Sequence, residues 1–397
     1  MNAARFAPRD RTEPSPAVSA EGLRVALFSG NYNCVRDGAN RALNRLAAHL
    51  IERGAAVRVY SPTVAEPAFE PAGDLVSVPS IGIPRRPEYR LSIRFPKSVR
   101  DDVAAFRPTH VHLSCPDYAG GRALAFARQR GIPAVASMHT RFETYLDYYG
   151  LGLLNRGIEA RLRRFYTGCD GVMAPNAAMA ESLVGFGVPR ERIHLWARGV
   201  DRSIFSPQQR SQEWRRRHGY RAGEPVVLFF GRLVHEKGLD VFAACVAELR
   251  ARGLPVRPLV VGDGPARGWL RQRLGEAVFT GHLDGEALGR AVASADILVN
   301  PSVTEAFGNV NLEAMAAGLA VVSADVGSAS ALISNEREGL LVDPKSPVAY
   351  ADAVETLIRH PARRARLGAA AAAASLAYNW PDILDAVIGV YRLTAAA

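Results

Sequence analysis

Two cations follow an apolar run midway along this chain of 397 residues. The segment FFGRLVHEKG (229–238) reads as a buried strand ending at Gly231, with Arg232 and Lys237 in the loop behind it. At the end of a strand, the planar guanidinium of Arg and the point charge of Lys can together hold a diphosphate. Two solvated surface charges would leave the same pattern, so both interpretations stay open for the pair alone.

Two carboxylates lie in NPSVTEAFGNVNLEAMAAGLAVVSAD (300–325). Gly308 delays the helix that follows strand ILVNPS, and Asn309 is the expected N-cap. Free amides at a helix start suit phosphate. Glu305 in the loop and Glu313 in the helix suit sugar or ribose hydroxyls, which donate hydrogen bonds to carboxylates. Glu313 could equally do no more than stabilise the helix dipole.

The N-terminal half offers a glycine-bearing turn and a histidine. In GNYNCVRDGANRALNRLAAHL (30–50) a strand leads through a loop with Gly38 into a helix, so backbone amides can approach a phosphate. His139 closes the strand in ASMHTRFETY, where a structural role is the alternative. The glycines of VGDGPARG (261–268) do not follow G-x-G-x-x-G, which argues against a nicotinamide cofactor.

Apolar runs alternate with helical patterns around these residues, which predicts parallel sheets covered on both faces. The pattern predicts a helix over 39–53, and the runs are LRVALFSG (23–30), AAVRVYSP (55–62), HVHLSCP (110–116), AVASMHT (134–140) and GVMAPN (171–176). After the polar, Arg-rich stretch 201–225 they resume with VVLFFGRL, RPLVVGDG, AVFTGHL, ILVNPS and AVVSAD. We therefore expect a disordered tail (1–20), two Rossmann-like domains (21–203 and 204–370) with a cleft between them, and C-terminal helices (371–397) packing back towards the first domain.

Composition limits the class of protein, its partners and its location. Apolar residues make up 48% and charged residues 22%, as in ordinary globular proteins, and the net charge of +10 favours anionic partners. The four cysteines are far apart and no His or Cys cluster has metal-ligand spacing, so we expect no disulfide framework and no metal site. No apolar run reaches the roughly 18–20 residues of a spanning helix, and a cytoplasmic location is expected.

The combination GRLVHEKG, VGDGP, FTGHL and TEAFGNVNLEAMAAGLAVV, in this order, resembles the C-terminal domain of the retaining family 4 glycosyltransferases. Glu305 and Glu313 match that family's E-x7-E motif. The likeness covers roughly residues 23–393. Loop 30–38, PEYRL (87–91) and SMHTRFETY (137–145) resemble its sulfoquinovosyl-diacylglycerol synthase and lipid α-mannosyltransferase branch.

The resemblance implies an α/β GT-B fold, with two Rossmann-like domains facing across a cleft, and a nucleoside-diphosphate sugar as donor, a UDP-sugar being favoured over GDP-mannose. It implies that Arg232 and Lys237 bind the diphosphate and that Glu313 holds the ribose. It further implies that Glu305 binds donor sugar hydroxyls and that His139 lies beside the transferred sugar. The backbone at Phe307, Gly308 and Asn309 would assist Glu305, and Gly38 would let its loop approach the donor.

The same resemblance implies retention of anomeric configuration without a cofactor or divalent metal, and the chain has no Asp-x-Asp pair. A phosphate oxygen of the leaving group would serve as the base. One departure concerns the first loop, where many relatives carry Pro-Pro and Gly-Gly but this chain has Asn-Tyr-Asn-Cys (31–34) and Arg36-Asp37-Gly38. Contacts from Arg36 and Asp37 are therefore left unassigned.

Two basic and apolar segments, 83–100 and 151–164, mark the expected acceptor domain. Cationic residues interleaved with apolar ones are typical of interfacial membrane segments, although a solvated basic face has the same composition. We expect a membrane lipid or glycan acceptor and peripheral attachment to the inner face of the cytoplasmic membrane. The competing hypotheses are a GDP-mannose-dependent α-mannosyltransferase of polysaccharide assembly, a GT-B sugar-nucleotide epimerase, a non-catalytic sugar-nucleotide binder and a nucleic-acid-binding protein. The last lacks any recognisable recognition helix or zinc finger.

Overall fold

A computed structural model describes residues 18–35, 37–83, 86–139, 155–254 and 256–395. The chain divides into two compact units. The first holds the described residues up to Arg198 together with those from Trp380 onward, and the second holds Gly199–Asn379. The predicted tail, residues 1–20, lies outside the described residues as far as residue 17.

The strands follow one another in chain order: β1 (Arg24–Phe28), β2 (Ala56–Ser61), β3 (Asp74–Ser77), β4 (Ser80–Ile83), β5 (Arg86–Ser92), β6 (His110–Leu113), β7 (Ala134–Ser137), β8 (Gly171–Ala174), β9 (Ile193–Leu195), β10 (Val227–Phe230), β11 (Leu259–Val261), β12 (Val278–Gly281), β13 (Ile297–Asn300), β14 (Ala320–Ala324) and β15 (Gly339–Val342).

The α-helices are α1 (Gly38–Glu52), α2 (Lys97–Phe106), α3 (Tyr118–Gln129), α4 (Asn155–Thr167), α5 (Ala177–Gly185), α6 (Gln212–Arg217), α7 (Leu239–Ala251), α8 (Arg267–Leu274), α9 (Gly285–Ala293), α10 (Asn309–Ala316), α11 (Gly327–Ser330), α12 (Pro347–Arg359), α13 (Pro361–Ala374) and α14 (Trp380–Ala395). The helix expected over 39–53 is α1. Its N-cap is Asp37, whose side chain accepts a hydrogen bond from Asn40 N at 2.8 Å.

Each unit is built on a parallel sheet. The first has seven strands in the order β3-β2-β1-β6-β7-β8-β9, and the second has six in the order β12-β11-β10-β13-β14-β15. The apolar runs of the sequence coincide with these strands because parallel strands are buried on both faces, as β6, β7, β8 and β13 are. The exposed, polar β3 and the two-stranded antiparallel hairpin β4–β5 lack such runs and were not predicted, and neither were the edge strands β9 and β15.

Strand order reverses once in each sheet. In the first unit the chain runs outward from β1 to β2 and β3, then returns to β6 on the other side of β1. In the second unit it runs from β10 to β11 and β12 and returns to β13. Loops leaving the carboxyl ends of the strands diverge at such a switch point, which is where open α/β sheets bind ligands.

Helix α14 belongs to the core of the first unit. Leu384, Val387 and Ile388 pack there in one cluster with the buried face of α1, and His49 Nε2 lies 2.7 Å from Asp385 Oδ1. The change between units therefore comes between Asn379 and Trp380, whereas the predicted boundary after residue 370 falls inside α13.

The boundary after the first domain also differs from the prediction. The first unit ends at Arg198, before the predicted limit at residue 203. The intervening residues are tied to the second unit, since Val200 N donates to Tyr378 O at 3.0 Å and the Ile204 carbonyl packs against Gly289. Among the described residues, no helix is long and apolar enough to cross a membrane.

Candidate active site

Lys237 and Glu305 meet at the switch point of the second sheet. Lys237 follows β10 in a single 3-10 turn, His235–Lys237, and Glu305 lies in the loop after the adjacent strand β13. Lys237 Nζ lies 2.6 Å from Glu305 Oε1, and Ser302 Oγ donates to the same oxygen at 3.2 Å. Both charged side chains are partly exposed, so this edge of the sheet presents an oriented cation and carboxylate to a ligand.

Glycines give the cationic loop its shape. A Cβ on Gly262 would lie 1.9 Å from the carbonyl oxygen of Gly231, and one on Gly264 would lie 2.5 Å from that of Leu233. Leu233 N donates to Asp263 O at 2.9 Å, and both packed glycines have positive φ. Residues 262–264 thus make a backbone contact that supports the loop with Arg232 and Lys237.

Arg232 lies beside this pair on the surface of the loop. Its guanidinium is 3.2 Å from Glu236 Oε1, and the carbonyl of Glu236 accepts from Thr304 Oγ1 at 3.4 Å. An ion pair this exposed contributes little to stability, about 0–1 kcal/mol.

The N-cap of helix α10 lies one residue earlier than expected. Gly308 is the N-cap, in the left-handed region at φ 93°, and Asn309 is the first helical residue, which corrects the prediction that Asn309 caps the helix. Glycine occupies that backbone region without steric cost, so the chain can turn sharply there. No side chain in the described part of the chain caps α10, which leaves its first amides directed at solvent or a ligand.

A buried amide network fixes this helix to the sheet. Asn300 Nδ2 donates to Asn311 Oδ1 at 2.8 Å, Asn311 Nδ2 donates to Ser323 Oγ at 3.0 Å, and Ser323 Oγ donates to Asn300 O at 3.3 Å. These three side chains lie on β13, α10 and β14. Sequence analysis missed them, because their partners are defined only by the packing of three separate elements.

The remaining predicted residues of this motif lie on the same segment. Phe307 is buried and meets Tyr378 edge-to-face with ring centroids 6.2 Å apart. Glu313 lies in the second turn of α10 and is partly buried. The structure thus brings Lys237, Glu305 and the start of α10 to one edge of the second sheet.

His139 lies beyond the end of β7 in the first unit, in a row of buried polar groups. Its Nε2 is 2.8 Å from Ser137 Oγ, and its Nδ1 is 2.6 Å from the guanidinium of Arg198. Ser137 Oγ in turn lies 2.8 Å from His112 Nε2. Burial, followed by the charge of Arg198 and the neighbouring His112, holds the pKa of His139 well below its ordinary range. Sequence analysis found His139 but not Arg198, His112 or Ser137.

Structural partners account for the unusual first loop. The side-chain amide of Asn31 bonds to both backbone groups of Arg90, at 2.7 and 3.1 Å, and the buried Tyr32 donates to Asn44 Oδ1 at 2.8 Å. Asn33 donates to Phe69 O at 3.3 Å, and Cys34 is buried. Gly38 is the first residue of α1 and is exposed, whereas Arg36 lies outside the described residues.

The first basic segment forms hairpin β4–β5 and the start of α2. Ile81, Ile83, Leu91 and Ile93 are each 38–50% exposed, and they make up four of the ten exposed large hydrophobic side chains among the described residues. Ile81 pairs directly with Leu91, so these two side chains share one face of the hairpin, while Ile83 ends β4 and Ile93 follows β5. The Arg90 head group bonds to Ser80 Oγ and O at 3.1 Å, so Arg90 is a structural residue rather than a free surface cation.

The second basic segment is different. Leu162 on α4 is buried in the first unit, while Arg161, Arg163 and Arg164 are exposed. Because the apolar face of this helix packs into the core, the described part of the segment is a solvated basic face, and the expectation of an interfacial segment fails for Leu162. Residues 151–154 lie outside the described residues.

Comparisons with known proteins agree with this arrangement. Residues 36–204 match the sequence profile described as Glycosyltransferase Family 4, and residues 224–360 match that of Glycosyl transferases group 1. The chain is 34% identical to a GDP-mannose-dependent alpha-mannosyltransferase of Mycolicibacterium smegmatis, over 93% of this chain and 97% of that protein. It is 30% identical to the sulfoquinovosyl transferase SQD2 of Arabidopsis thaliana, over 92% and 73% of the two chains.

Solved structures show the same fold. Sucrose-phosphate synthase from Thermosynechococcus elongatus superposes with a TM-score of 0.75 at 22% identity, covering 94% of this chain and 100% of that one. Anabaena HepE, solved with UDP-glucose, superposes with a TM-score of 0.70 at 19% identity, covering 92% of this chain and 98% of that one. Two Rossmann-like units of this kind define the GT-B fold. The chain belongs to glycosyltransferase family 4.

Proposed function

We propose that this enzyme moves a hexose or uronic acid from a nucleoside-diphosphate sugar to a membrane lipid, with retention of configuration. The observation that carries the proposal is the Lys237–Glu305 pair at the switch point of the second sheet. A cation and a carboxylate 2.6 Å apart fit a ligand that is anionic at one end and rich in hydroxyl donors at the other. A nucleoside-diphosphate sugar has this character.

Each site residue has a place in the proposed reaction. Lys237 and Arg232 bind the diphosphate and stabilise the charge that develops as it leaves, with the uncapped amides of α10 facing the same region. Glu305 accepts hydrogen bonds from sugar hydroxyls and Glu313 from the ribose, with Phe307 to Asn309 and Gly38 shaping the donor loops. His139 of the first unit is assigned to the transferred sugar on the strength of the family resemblance alone. The acceptor hydroxyl attacks from the face that the diphosphate leaves, and a phosphate oxygen takes its proton.

The donor base is the point on which the relatives divide. We favour a UDP-sugar, in line with the sulfoquinovosyl transferase branch and with the UDP-glucose bound to the structurally similar HepE. The alternative is a GDP-mannose-dependent α-mannosyltransferase, favoured by the 34% identity to the mycobacterial enzyme of that name. A panel of UDP- and GDP-sugars incubated with a membrane lipid extract, followed by mass spectrometry, separates the two. Transfer from a UDP-sugar to lipid supports the first, and exclusive use of GDP-mannose supports the second.

Activity without a divalent cation is a prediction of this site. The diphosphate charge is matched by Lys237, Arg232 and helix amides, and no cluster of three His, Cys, Asp or Glu side chains occurs in the described part of the chain. Turnover in excess EDTA should equal turnover without it. Loss of activity in EDTA that magnesium or manganese restores would contradict the prediction.

We further propose that the hairpin β4–β5 docks the enzyme on the anionic inner face of the cytoplasmic membrane. Its exposed apolar side chains Ile81 and Leu91 share one face, the equally exposed Ile83 and Ile93 end β4 and follow β5, and the exposed Arg94 and Arg100 come next in the chain. Apolar insertion and cationic attraction together are what interfacial binding requires, each cation near the surface contributing about 1 kcal/mol.

The hairpin makes a specific prediction about vesicle binding. Changing Ile81, Ile83, Leu91 and Ile93 together to Ser should weaken binding to phosphatidylglycerol-containing vesicles by at least about 100-fold, given about 0.8 kcal/mol for each buried methylene. Cosedimentation measures the loss. The matched control, Ile51→Ser with Leu393→Ser, removes exposed apolar groups elsewhere in the first unit and should bind normally.

Salt and nucleotide provide the remaining controls for the vesicle experiment. Raising the salt concentration should weaken binding of the native protein through screening, and UDP binding should survive in the quadruple variant. Absence of vesicle binding by the native protein at low salt would remove the membrane from the proposal, and a soluble or polysaccharide acceptor would replace the lipid.

A further inference from the structure

Five polar side chains of the first unit form a hydrogen-bonded row, and the proposed reaction uses only one of them, His139. The row runs from Arg198, which follows β9, through His139 and Ser137 to His112 on β6 and Tyr391 on α14. Its contacts are Arg198 to His139 Nδ1 at 2.6 Å, His139 Nε2 to Ser137 Oγ at 2.8 Å, Ser137 Oγ to His112 Nε2 at 2.8 Å, and His112 Nδ1 to the Tyr391 hydroxyl at 2.5 Å.

The direction of the hydrogen bonds at His139 follows from one end of the row. A guanidinium has only donors, so Nδ1 of His139 must be the acceptor and carry no proton. A neutral ring then has its proton on Nε2 and donates a hydrogen bond to Ser137 Oγ. When the Ser137 hydroxyl donates to His112 Nε2, His112 Nδ1 donates to Tyr391, and both imidazoles are neutral in this arrangement.

Arg198 is held in place independently of His139. The residue is 4% exposed, and its Nη1 donates to the carbonyls of Trp196 and Ala197 at 3.0 and 3.3 Å. Its guanidinium lies 4.9 Å from the centre of the Trp196 ring, whose plane meets His139 edge-to-face with centroids 5.1 Å apart. Burial lowers the pKa of Arg198 to about 10, which leaves it charged at neutral pH.

We propose that Arg198 is a positioning residue that keeps Nδ1 of His139 unprotonated by donating a hydrogen bond to it. The imidazole then serves the transferred sugar as an oriented, uncharged ring and not as an acid or base. The inference rests on the proposed function for the part played at the sugar. Neither ring nitrogen of His139 is then available as a proton donor: Nδ1 accepts a hydrogen bond from a cation, and the N–H of Nε2 is engaged by Ser137.

The charged and titratable groups nearest His139 all lower its pKa. Arg198 after β9 and His112 on β6 oppose a second proton on His139, and Tyr391 on α14 reaches the row only through His112. Asp37, before α1, acts on Arg198 and favours its charged form. Burial lowers the pKa of His112 to about 3, so His112 stays neutral over the range in which His139 would ordinarily titrate.

Histidine-labelled protein tests the proposal by 15N NMR, which requires no substrate. In the native protein, His139 should remain neutral with its proton on Nε2 from pH 5 to 8. In Arg198→Met, the pKa of His139 should rise above its native value and stay below the ordinary value of about 6.5, because burial, the larger cause, remains. In Arg198→Lys, which keeps a cationic donor, His139 should stay unprotonated. The matched control is Arg190→Met, which removes an exposed arginine of the same unit and should leave the His139 titration unchanged.

Kinetics link the charge state to catalysis once a donor is known. The kcat of the native enzyme should not fall between pH 7.5 and 5.5 on account of His139, whereas in Arg198→Met the ring gains its proton at a higher pH than in the native enzyme and kcat should fall towards the acid end of that interval. UDP affinity, which depends on the second unit, should not change. A purely structural role for Arg198 would lower stability without creating this acid limb.

Three results would overturn the proposal: protonation of native His139 near pH 6.5, an unchanged His139 titration in Arg198→Met, or a flat pH profile in that variant despite a new titration. The native titration decides the matter even where Arg198→Met fails to fold. An enzyme inactive with every donor would refute the proposed function alone, because the NMR result stands without it.

Discussion

Replacing Lys237 by alanine is expected to lower kcat/KM at least about 100-fold and to weaken UDP binding. A charge-assisted hydrogen bond contributes roughly 1.5–3 kcal/mol, and the substitution also leaves Glu305 facing the diphosphate without its partner at 2.6 Å. Steady-state kinetics and calorimetric titration with UDP measure the two losses. Arg232→Ala should act in the same direction with a smaller effect, because its side chain is more exposed.

Two controls separate the site from general effects of charge. Lys345→Ala removes an exposed lysine of the same unit and should leave both quantities unchanged. Lys237→Ala combined with Glu305→Gln should regain part of the UDP affinity, since the uncompensated carboxylate is then gone. Normal kinetics in both Lys237→Ala and Arg232→Ala would remove these residues from the donor site.

Gly262→Ala is expected to be the most damaging conservative change outside the charged residues. The new Cβ would lie 1.9 Å from the carbonyl oxygen of Gly231, at a backbone φ of 133° that alanine avoids. We expect about 3 kcal/mol of destabilisation from strain and overpacking, together with loss of UDP binding as the cationic loop shifts. Urea unfolding and UDP titration measure the two effects.

Gly268→Ala is the matched control for that experiment. Gly268 lies in the first turn of α8, a Cβ there meets nothing within 4 Å, and the substitution should be neutral or stabilising by up to about 1 kcal/mol. Equal stability of the two variants would show that the contact between the loops at Gly231 and Gly262 does not shape the site.

The sequence predicts most of the framework because strands buried on both faces are continuous apolar runs. It also predicts the loops with Lys237 and Glu305, since both residues directly follow such strands. It misplaces the start of α10 by one residue, because cap preferences favour Asn309 while the sharp turn requires Gly308 in the left-handed region. The hairpin β4–β5 escapes prediction because Asn31, 59 residues away in sequence, holds its backbone.

The row of groups around His139 could not be predicted either, because its contacts also join residues far apart in sequence. Arg198 is 59 residues from His139, and Tyr391 is 279 residues from His112, so these contacts exist only after the sheet and α14 have assembled. A lone histidine at the end of a strand carries no sign of such partners. Local pattern thus identifies the residue, and long-range packing determines its protonation.

The anomeric configuration of the product tests the central claim most directly. The active donor of the panel is incubated with lipid extract, and the glycolipid is purified and its anomeric proton coupling measured by NMR. The account predicts that the sugar keeps the donor's configuration and is attached to a lipid hydroxyl. An inverted product, or transfer confined to a soluble acceptor, would contradict it.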